Sequence, residues 1–508
     1  MRDSRDGLLS YAAGCVAARC AILLTLCALG AAPARAQLFD ARINVVSLSP
    51  ARVRIEGERR SATKVWSFRN AYAGVTGLGE RIENLALADA RGQSVAVRKL
   101  APGEYEAADA ATRFSYEVRV EAPAMPGDAA YVSWLTSERG FLMLGDLLPR
   151  PAEAKESAAG ATVSFALPAG WAIKTLELKM ADAQFEVADA QSAVFYAGLD
   201  LRERRERVGS METAFVTGGD WAFSDEDVAS TAASILKDHL RTMGGAARAR
   251  MMLMLTPFPR PVSAERWSAE TRGATVMLLS GRFPSRTAAL AQLSAPLTHE
   301  LFHLWVPNGL ALDGQYDWFY EGFTLYQALR AGMRLDLLTF QDYLNALGRA
   351  FDAYASANGR DHLSLLEASQ RRWTGTTTLV YQKGMLVAFL YDLTLRRHTR
   401  GERSLDDVYR ELFRHHRLTG TRKDGNAAVI AALNGQSGML EFVRRHIESA
   451  GQIDLAALLA PFGLRVEREG VRTRVLVADS LSREQRDLLR GFGYNAEKRT
   501  RPQRQRGE

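Results

Sequence analysis

The chain has 508 residues, 47% of them hydrophobic and 24% charged, a globular balance with enough length for two to four domains. Its formal charge of +7 sits at the ends: residues 1–36 carry four arginines and two aspartates, and residues 498–508 carry five basic residues and one acidic, which leaves +1 on residues 37–497. The basic balance is therefore no argument for a nucleic-acid partner, and because all three cysteines (Cys15, Cys20 and Cys27) lie in the first segment, disulfides, thiol nucleophiles and cysteine-ligated metals are excluded from residues 37–508.

At the N-terminus Arg2, Arg5 and Arg19 precede the apolar run CAILLTLCALGAA (20–32), and Ala34-Arg35-Ala36 forms a small-residue cleavage site. Residues 1–36 thus read as a secretory signal peptide cut after Ala36, and the expected location is secreted or periplasmic. The run is too short for a membrane anchor and no later run reaches the ~18 residues of a spanning helix, so no stable membrane insertion is expected after cleavage.

Residues 37–205 are rich in short alternating segments (INVVSLSP, ARVRIEGE, FSYEVRVEA, ATVSFALP) bounded by Gly, Pro, Asp and Asn. Period-two alternation of this kind predicts a half-buried antiparallel sheet, here an N-terminal β-sandwich-like domain. Residues 206–450 read as a second domain. A helix is predicted from Ser224, with acidic residues in its first turn and Gly244-Gly245 at its end. The apolar strands RMMLMLTPF (250–258) and ATVMLLSGRF (274–283) follow, and from about residue 286 the pattern is mostly helical. Residues 451–508 are expected to form a helix and hairpin cap, the hairpin turning near Glu469-Gly470, and a basic, solvated tail. The fold class is α+β.

The chemistry concentrates at LTHELFHLW (297–305). Leu297, Leu301, Leu304 and Trp305 recur at helical spacing and Pro307-Asn308-Gly309 ends the pattern. Positions i and i+4 share a helix face about 5–6 Å apart, so the imidazoles of His299 and His303 can hold one Zn2+ ion, with Glu300 able to reach an activated water without ligating the metal. A catalytic zinc needs a third protein ligand and one open position. Glu321, in the first half of a second predicted helix YDWFYEGFTLYQALRAG (316–332), can supply it across a tight helical hairpin. His239, His362, His398, His415, His416 and His446 have no metal-like setting.

HELFHLW, WFYEGFTLY, YQKGMLVAFLYDLTLR (381–396) and GERSLDDVYREL (401–412) together resemble the glycyl aminopeptidase family of gluzincin zinc metallopeptidases, related to the aminopeptidase N family. The segment VSFALPAGW (163–171) is similar to that family's N-terminal β-domain. The resemblance implies a thermolysin-like, mixed α/β and mainly helical catalytic domain, one zinc ion on His299, His303 and Glu321, Glu300 as general base, and Tyr381 donating its hydroxyl to the oxyanion. It further implies an exported metallopeptidase acting on a peptide or protein substrate through an activated water. A zinc hydrolase of non-peptide bonds, or a binding protein keeping the zinc for structure, are the alternatives. Two departures stand out. Seventeen residues separate His303 from Glu321, one fewer than is usual in the aminopeptidase N family. The family also carries an acid on the strand before the zinc helix, where it can pair with a free amino group. The comparable place here reads GATVMLLSG (273–281), with Val276 where the glutamate would stand, so cleavage of internal bonds gains over aminopeptidase action.

Overall fold

The computed structural model describes residues 37–151 and 160–495. The signal-peptide reading, the cysteines and the basic tail from residue 498 lie outside the described residues. Among the described residues, no helix is long and apolar enough to cross a membrane.

The N-terminal part is built on a nine-stranded sheet whose long strands are Gln37–Leu48, Ala51–Ser67 and Glu104–Arg119. Alternation is visible in the middle of these three, where Val53 and Ile55 are fully buried while Arg54 and Glu56 are exposed on the other face of the pleat. Pairing is antiparallel except that Gln37–Leu48 runs parallel to Gly160–Ala166, a departure from the all-antiparallel reading. A second sheet of four strands includes Arg139–Met143 and Val194–Gly198, and all ten residues of these two strands are buried. The reason is that both faces of this sheet are covered. Leu142 and Phe195 point into the core of the large sheet, whereas Phe141, Met143, Val194 and Tyr196 join Met252, Met254, Met277 and Leu279 of the next sheet. A continuous apolar run such as FLML is what a strand buried on both sides requires.

The third sheet has five strands in the order Arg202–Val208, Met211–Thr217, Arg250–Pro257, Thr275–Ser280, Trp267–Arg272. Its first strand straddles residue 205. The inner three strands are mutually parallel and the two outer ones antiparallel to their neighbours. Its other face carries Met251, Leu253, Leu255 and Leu278 into the helical core. The helix expected from Ser224 runs Asp225–Met243: the Ser224 side chain caps the Asp227 amide, Asp227 returns the bond, and Gly244 ends the helix at φ 75°.

This sheet order overturns the expectation of an acid-free strand at the cleft. Thr275–Ser280 is interior, and Val276 is fully buried in the helical core. The edge strand facing the cleft is Trp267–Arg272, and it carries Glu270. The sequence places 275–280 next before the zinc helix, but an antiparallel hairpin folds the earlier strand to the outside. Toward the C-terminus, strands Leu464–Glu469 and Arg472–Val477 make a hairpin, and the Asp352 carboxylate on helix Phe340–Ala355 accepts from the Thr473 amide at 2.9 Å.

Candidate metal centre

The first histidine helix is Arg286–Phe302, capped by Ser285, whose hydroxyl accepts from the Ala288 amide. It ends three residues earlier than the apolar spacing suggests, with His303 as its C-cap at φ −62°, still helical. The two rings therefore keep the i, i+4 relation, and their Nε2 atoms lie 3.0 Å apart. Glu321 Oε2 lies 3.3 Å from His299 Nε2 and 3.5 Å from His303 Nε2. Three ligands at 2.0–2.1 Å on a tetrahedral zinc stand about 3.3 Å from one another, so the observed triangle is one face of such a polyhedron. Among the described residues, these three form the one group of His, Cys, Asp or Glu side chains close enough to share an ion.

The chemistry of the donor set fits the same ion. His303 Nδ1 lies 2.7 Å from the Val306 carbonyl oxygen, which only a ring N–H can satisfy, so Nε2 is the ring nitrogen left to face the triangle and to ligate once it gives up its proton. Burial disfavours the charged ring, but Glu321 and Glu300 outweigh it and raise the His303 pKa to about 9. Burial likewise opposes charge on Glu321, yet the two histidines and Arg372 hold its carboxyl well below the ordinary range. The site is a buried pocket of negative charge and ring nitrogens that a divalent cation would neutralise.

Glu321 and Tyr381 both sit in π-helical turns, Trp318–Phe323 and Leu379–Lys383, each running on into an α-helix. The two turns touch through glycines. A Cβ on Gly322 would stand 2.6 Å from the Gly384 Cα, and one on Gly384 would stand 2.9 Å from the Gly322 Cα. This contact explains Gly after Glu321 and Gly three places after Tyr381: no side chain fits between the segments that deliver the carboxylate and the phenol. Gly322→Ala is expected to lower stability by about 1–3 kcal/mol through overpacking and to weaken zinc binding, measured by thermal melting and by chelator competition. An unchanged zinc affinity would show that the glycine contact does not set the position of Glu321.

Arg372, unmarked in the sequence, ties these groups together. It is 8% exposed. Its Nη2 lies 2.9 Å from Glu321 Oε1 and donates to the Tyr381 hydroxyl oxygen at 2.5 Å, while Nη1 donates to Asp317 at 2.8 Å. One Glu321 oxygen is thereby occupied and the other left for the histidines. Tyr381 accepts from the arginine, so its own proton is free to be donated. Burial and the Glu321 charge push the phenol pKa well above its usual value, which keeps that proton in place.

On the opposite wall Thr271 of the edge strand donates its hydroxyl to Glu300, with Oε2 at 2.8 Å and the main-chain oxygen at 3.0 Å. Glu300 is 6% exposed and stands outside the triangle. Glu270 accepts from the Tyr72 hydroxyl at 2.5 Å, and burial raises its pKa, helped by Glu300 and Glu321 and opposed by Arg272. Tyr131 lies within electrostatic reach of Glu270, Glu300 and Glu321. Tyr72, Tyr131, Glu270, Thr271 and Glu300 line one cleft of about 1390 Å³ together with the triangle. Lys383, by contrast, is fully buried and makes a long contact, 3.5 Å, to the Leu363 carbonyl, and Trp318 and Phe319 are core residues. The remaining histidines stay outside the cluster; His239 bonds the Thr298 carbonyl oxygen and braces the histidine helix.

A β-domain, a mixed sheet with an exposed antiparallel edge strand, and an H-E-x-x-H helix facing a glutamate helix define a zinc metallopeptidase. Two stretches of the chain match family models: residues 72–194 are similar to the Peptidase M61 N-terminal domain and residues 292–387 to the M61 glycyl aminopeptidase domain. Solved structures share the fold. A protein of the aminopeptidase N family from Idiomarina loihiensis superposes with a TM-score of 0.72 at 18% identity, over 85% of this chain and 79% of that one. An M1 zinc metallopeptidase from Deinococcus radiodurans superposes with a TM-score of 0.54 at 16% identity, over 82% and 95%. A variant of an M1 zinc metallopeptidase from the same organism, solved with the substrate Tyr-Ser-Ala, has a TM-score of 0.54 at 14% identity, over 82% and 95%. No curated protein sequence gives a significant match.

Proposed function

We propose that this protein is an exported zinc aminopeptidase, removing N-terminal residues from peptides with Glu300 as general base and Tyr381 as oxyanion donor. The observation that carries the hydrolytic reading is the triangle of His299, His303 and Glu321 with Glu300 beside it but outside it. Zinc held there supplies Lewis acidity and lowers the pKa of water toward neutrality. Glu300, fixed by Thr271, takes the proton released on attack and can return it to the leaving amine. Tyr381, fixed by Arg372, offers its O–H to the oxygen of the carbonyl under attack, a preorganised donor in a site that burial keeps low in dielectric.

Glu270 supports exopeptidase over endopeptidase action. A free α-amino group needs a buried partner, and this carboxylate lies on the edge strand of the same cleft as the catalytic groups. The strand also has an unpaired side for an extended peptide. Arg266 turns its carbonyl inward to Gly281, and Thr271 turns its carbonyl outward to Asn308, so alternation leaves the main chain of Ala269 facing the cleft. The substrate of the Deinococcus variant is a tripeptide with a free N-terminus by its name, in keeping with this reading. Export rests on the N-terminal segment alone.

The test is a pair of peptides with free and acetylated N-termini. The wild-type protein is expected to prefer the free amine by about tenfold to a hundredfold, the worth of one charge-assisted hydrogen bond, and Glu270→Ala should erase the preference. Equal cleavage of both peptides by the wild type would defeat the aminopeptidase reading while leaving a zinc peptidase.

A further inference from the structure

The N-terminal sheet domain sends one small hairpin into the cleft. Ala71–Tyr72 pairs with Val75–Thr76, and the reversal uses Ala73 at φ 49° and Gly74 at φ 84°. Two successive residues at positive φ make the tightest kind of hairpin turn, so the tip is a defined shape. Its base is fixed as well: the Asn70 main-chain oxygen accepts from the Leu78 amide, and its side-chain oxygen accepts from the Gly79 amide at 3.1 Å.

Each side of the hairpin meets a different wall. On one side the Tyr72 ring lies between two guanidinium groups, 4.7 Å from Arg69 and 4.2 Å from Arg272, and its hydroxyl reaches Glu270 on the edge strand. On the other side Gly74 comes so near Trp373 that a Cβ there would stand 3.0 Å from the indole. Trp373 in turn packs against Arg372, 4.3 Å from its ring, and Arg372 holds Glu321 and Tyr381. The hairpin therefore bridges the cleft from the edge strand to the opposite rim. The bridge abuts Glu270 through the Tyr72 hydroxyl. Small and aliphatic side chains such as Ala291, Ala295, Ala328 and Leu329 line the same cleft.

We propose that the hairpin 71–76, closed against Trp373, is a steric stop: it blocks the cleft behind the substrate's N-terminal residue and so confines the enzyme to N-terminal cleavage. This rests on the reading of Glu270 as the partner of the amine. Glu270 then supplies the attraction for a free terminus, and the hairpin supplies the exclusion of a chain that continues beyond it. The stop is contributed by the N-terminal domain, which gives that domain a part in choosing the bond.

Two variants test it with Glu270 itself left in place. Trp373 is 53% exposed, so Trp373→Ala removes one side of the bridge with little effect on the core. Replacing residues 72–75 by Gly-Gly removes the other, and with it the Tyr72 hydrogen bond to Glu270, so it is compared with Tyr72→Phe, which loses only that bond. Each is assayed as the full chain, with zinc content and melting temperature measured, against acetylated peptides containing internal bonds, and the products are read by mass spectrometry. Both variants should retain zinc and gain internal cleavage by at least about tenfold, the usual scale of steric discrimination in a pocket. Should the folded, zinc-loaded variants stay limited to free N-termini while Glu270→Ala relaxes the wild-type preference, the stop is refuted and the amine anchor stands. Should the wild type already cut acetylated peptides internally, stop and anchor fall together.

Discussion

Glu300→Ala is expected to retain its zinc and to lose peptide hydrolysis by about two to four orders of magnitude, the usual contribution of a positioned general base. Retention follows from geometry. The three ligand atoms belong to His299, His303 and Glu321, and Glu300 contributes none of them. The loss follows from placement: Glu300 is next to His299 on the helix, buried, and pinned by the Thr271 hydroxyl, so it faces the cleft in a fixed orientation. The two readouts must be taken on the same preparation, zinc by elemental analysis and kcat by peptide release. Zinc retained with kcat unchanged would mean that another group, with Glu270 the first candidate, takes the proton. Zinc lost along with activity would show that Glu300 helps to hold the ion.

The largest combined effect on metal and fold is expected from Glu321→Ala. It removes one corner of the triangle, so zinc affinity should fall by more than the ~10–100-fold typical of losing a supporting outer-shell group. It also strands Arg372. That guanidinium faces Glu321 at 2.9 Å and Asp317 at 2.8 Å, with all three side chains 10% exposed or less. Breaking a buried pair by deleting one member costs about 3–5 kcal/mol, because the other charge stays buried. The melting temperature should therefore fall even for zinc-free protein. Chelation of the wild-type protein separates the two terms: it removes only the ion, abolishes activity reversibly, and lowers the melting temperature by the linkage term alone. A Glu321→Ala protein that binds zinc like the wild type would remove the basis for the whole site.

The parts of this site that were legible in the sequence are those set by local geometry. The i, i+4 spacing of His299 and His303 places two rings on one face whatever surrounds them, and HELFHLW with WFYEGFTLY was enough to point at Glu321. The groups that were missed act through tertiary contacts. Arg372 lies 51 residues after Glu321, in a polar stretch without a motif, and nothing in its own neighbourhood shows that it meets a carboxylate and a phenol. Glu270 was hidden by order: the chain visits the edge strand first and the interior strand second, so the segment nearest the histidines in sequence is not the one nearest in space. WSAETR is also short and polar, which makes a weaker strand signal than the apolar runs on either side of it. The π-helical turns are invisible to a 3.6-residue period. Their one trace is the pair Gly322 and Gly384, glycines inside otherwise helical patterns, where a close approach of backbones is the usual reason.

The four-stranded sheet around Phe141 and Tyr196 is a party wall. Each of its faces completes a different hydrophobic interior, one with the large sheet and one with the strands that back the catalytic helices. A cut after it would leave a bare methionine and leucine surface on the strands 250–257 and 275–280, and a cut before it would strip Leu142 and Phe195 of the large sheet that covers them, so the two halves are expected to fold, and to melt, as one tenancy.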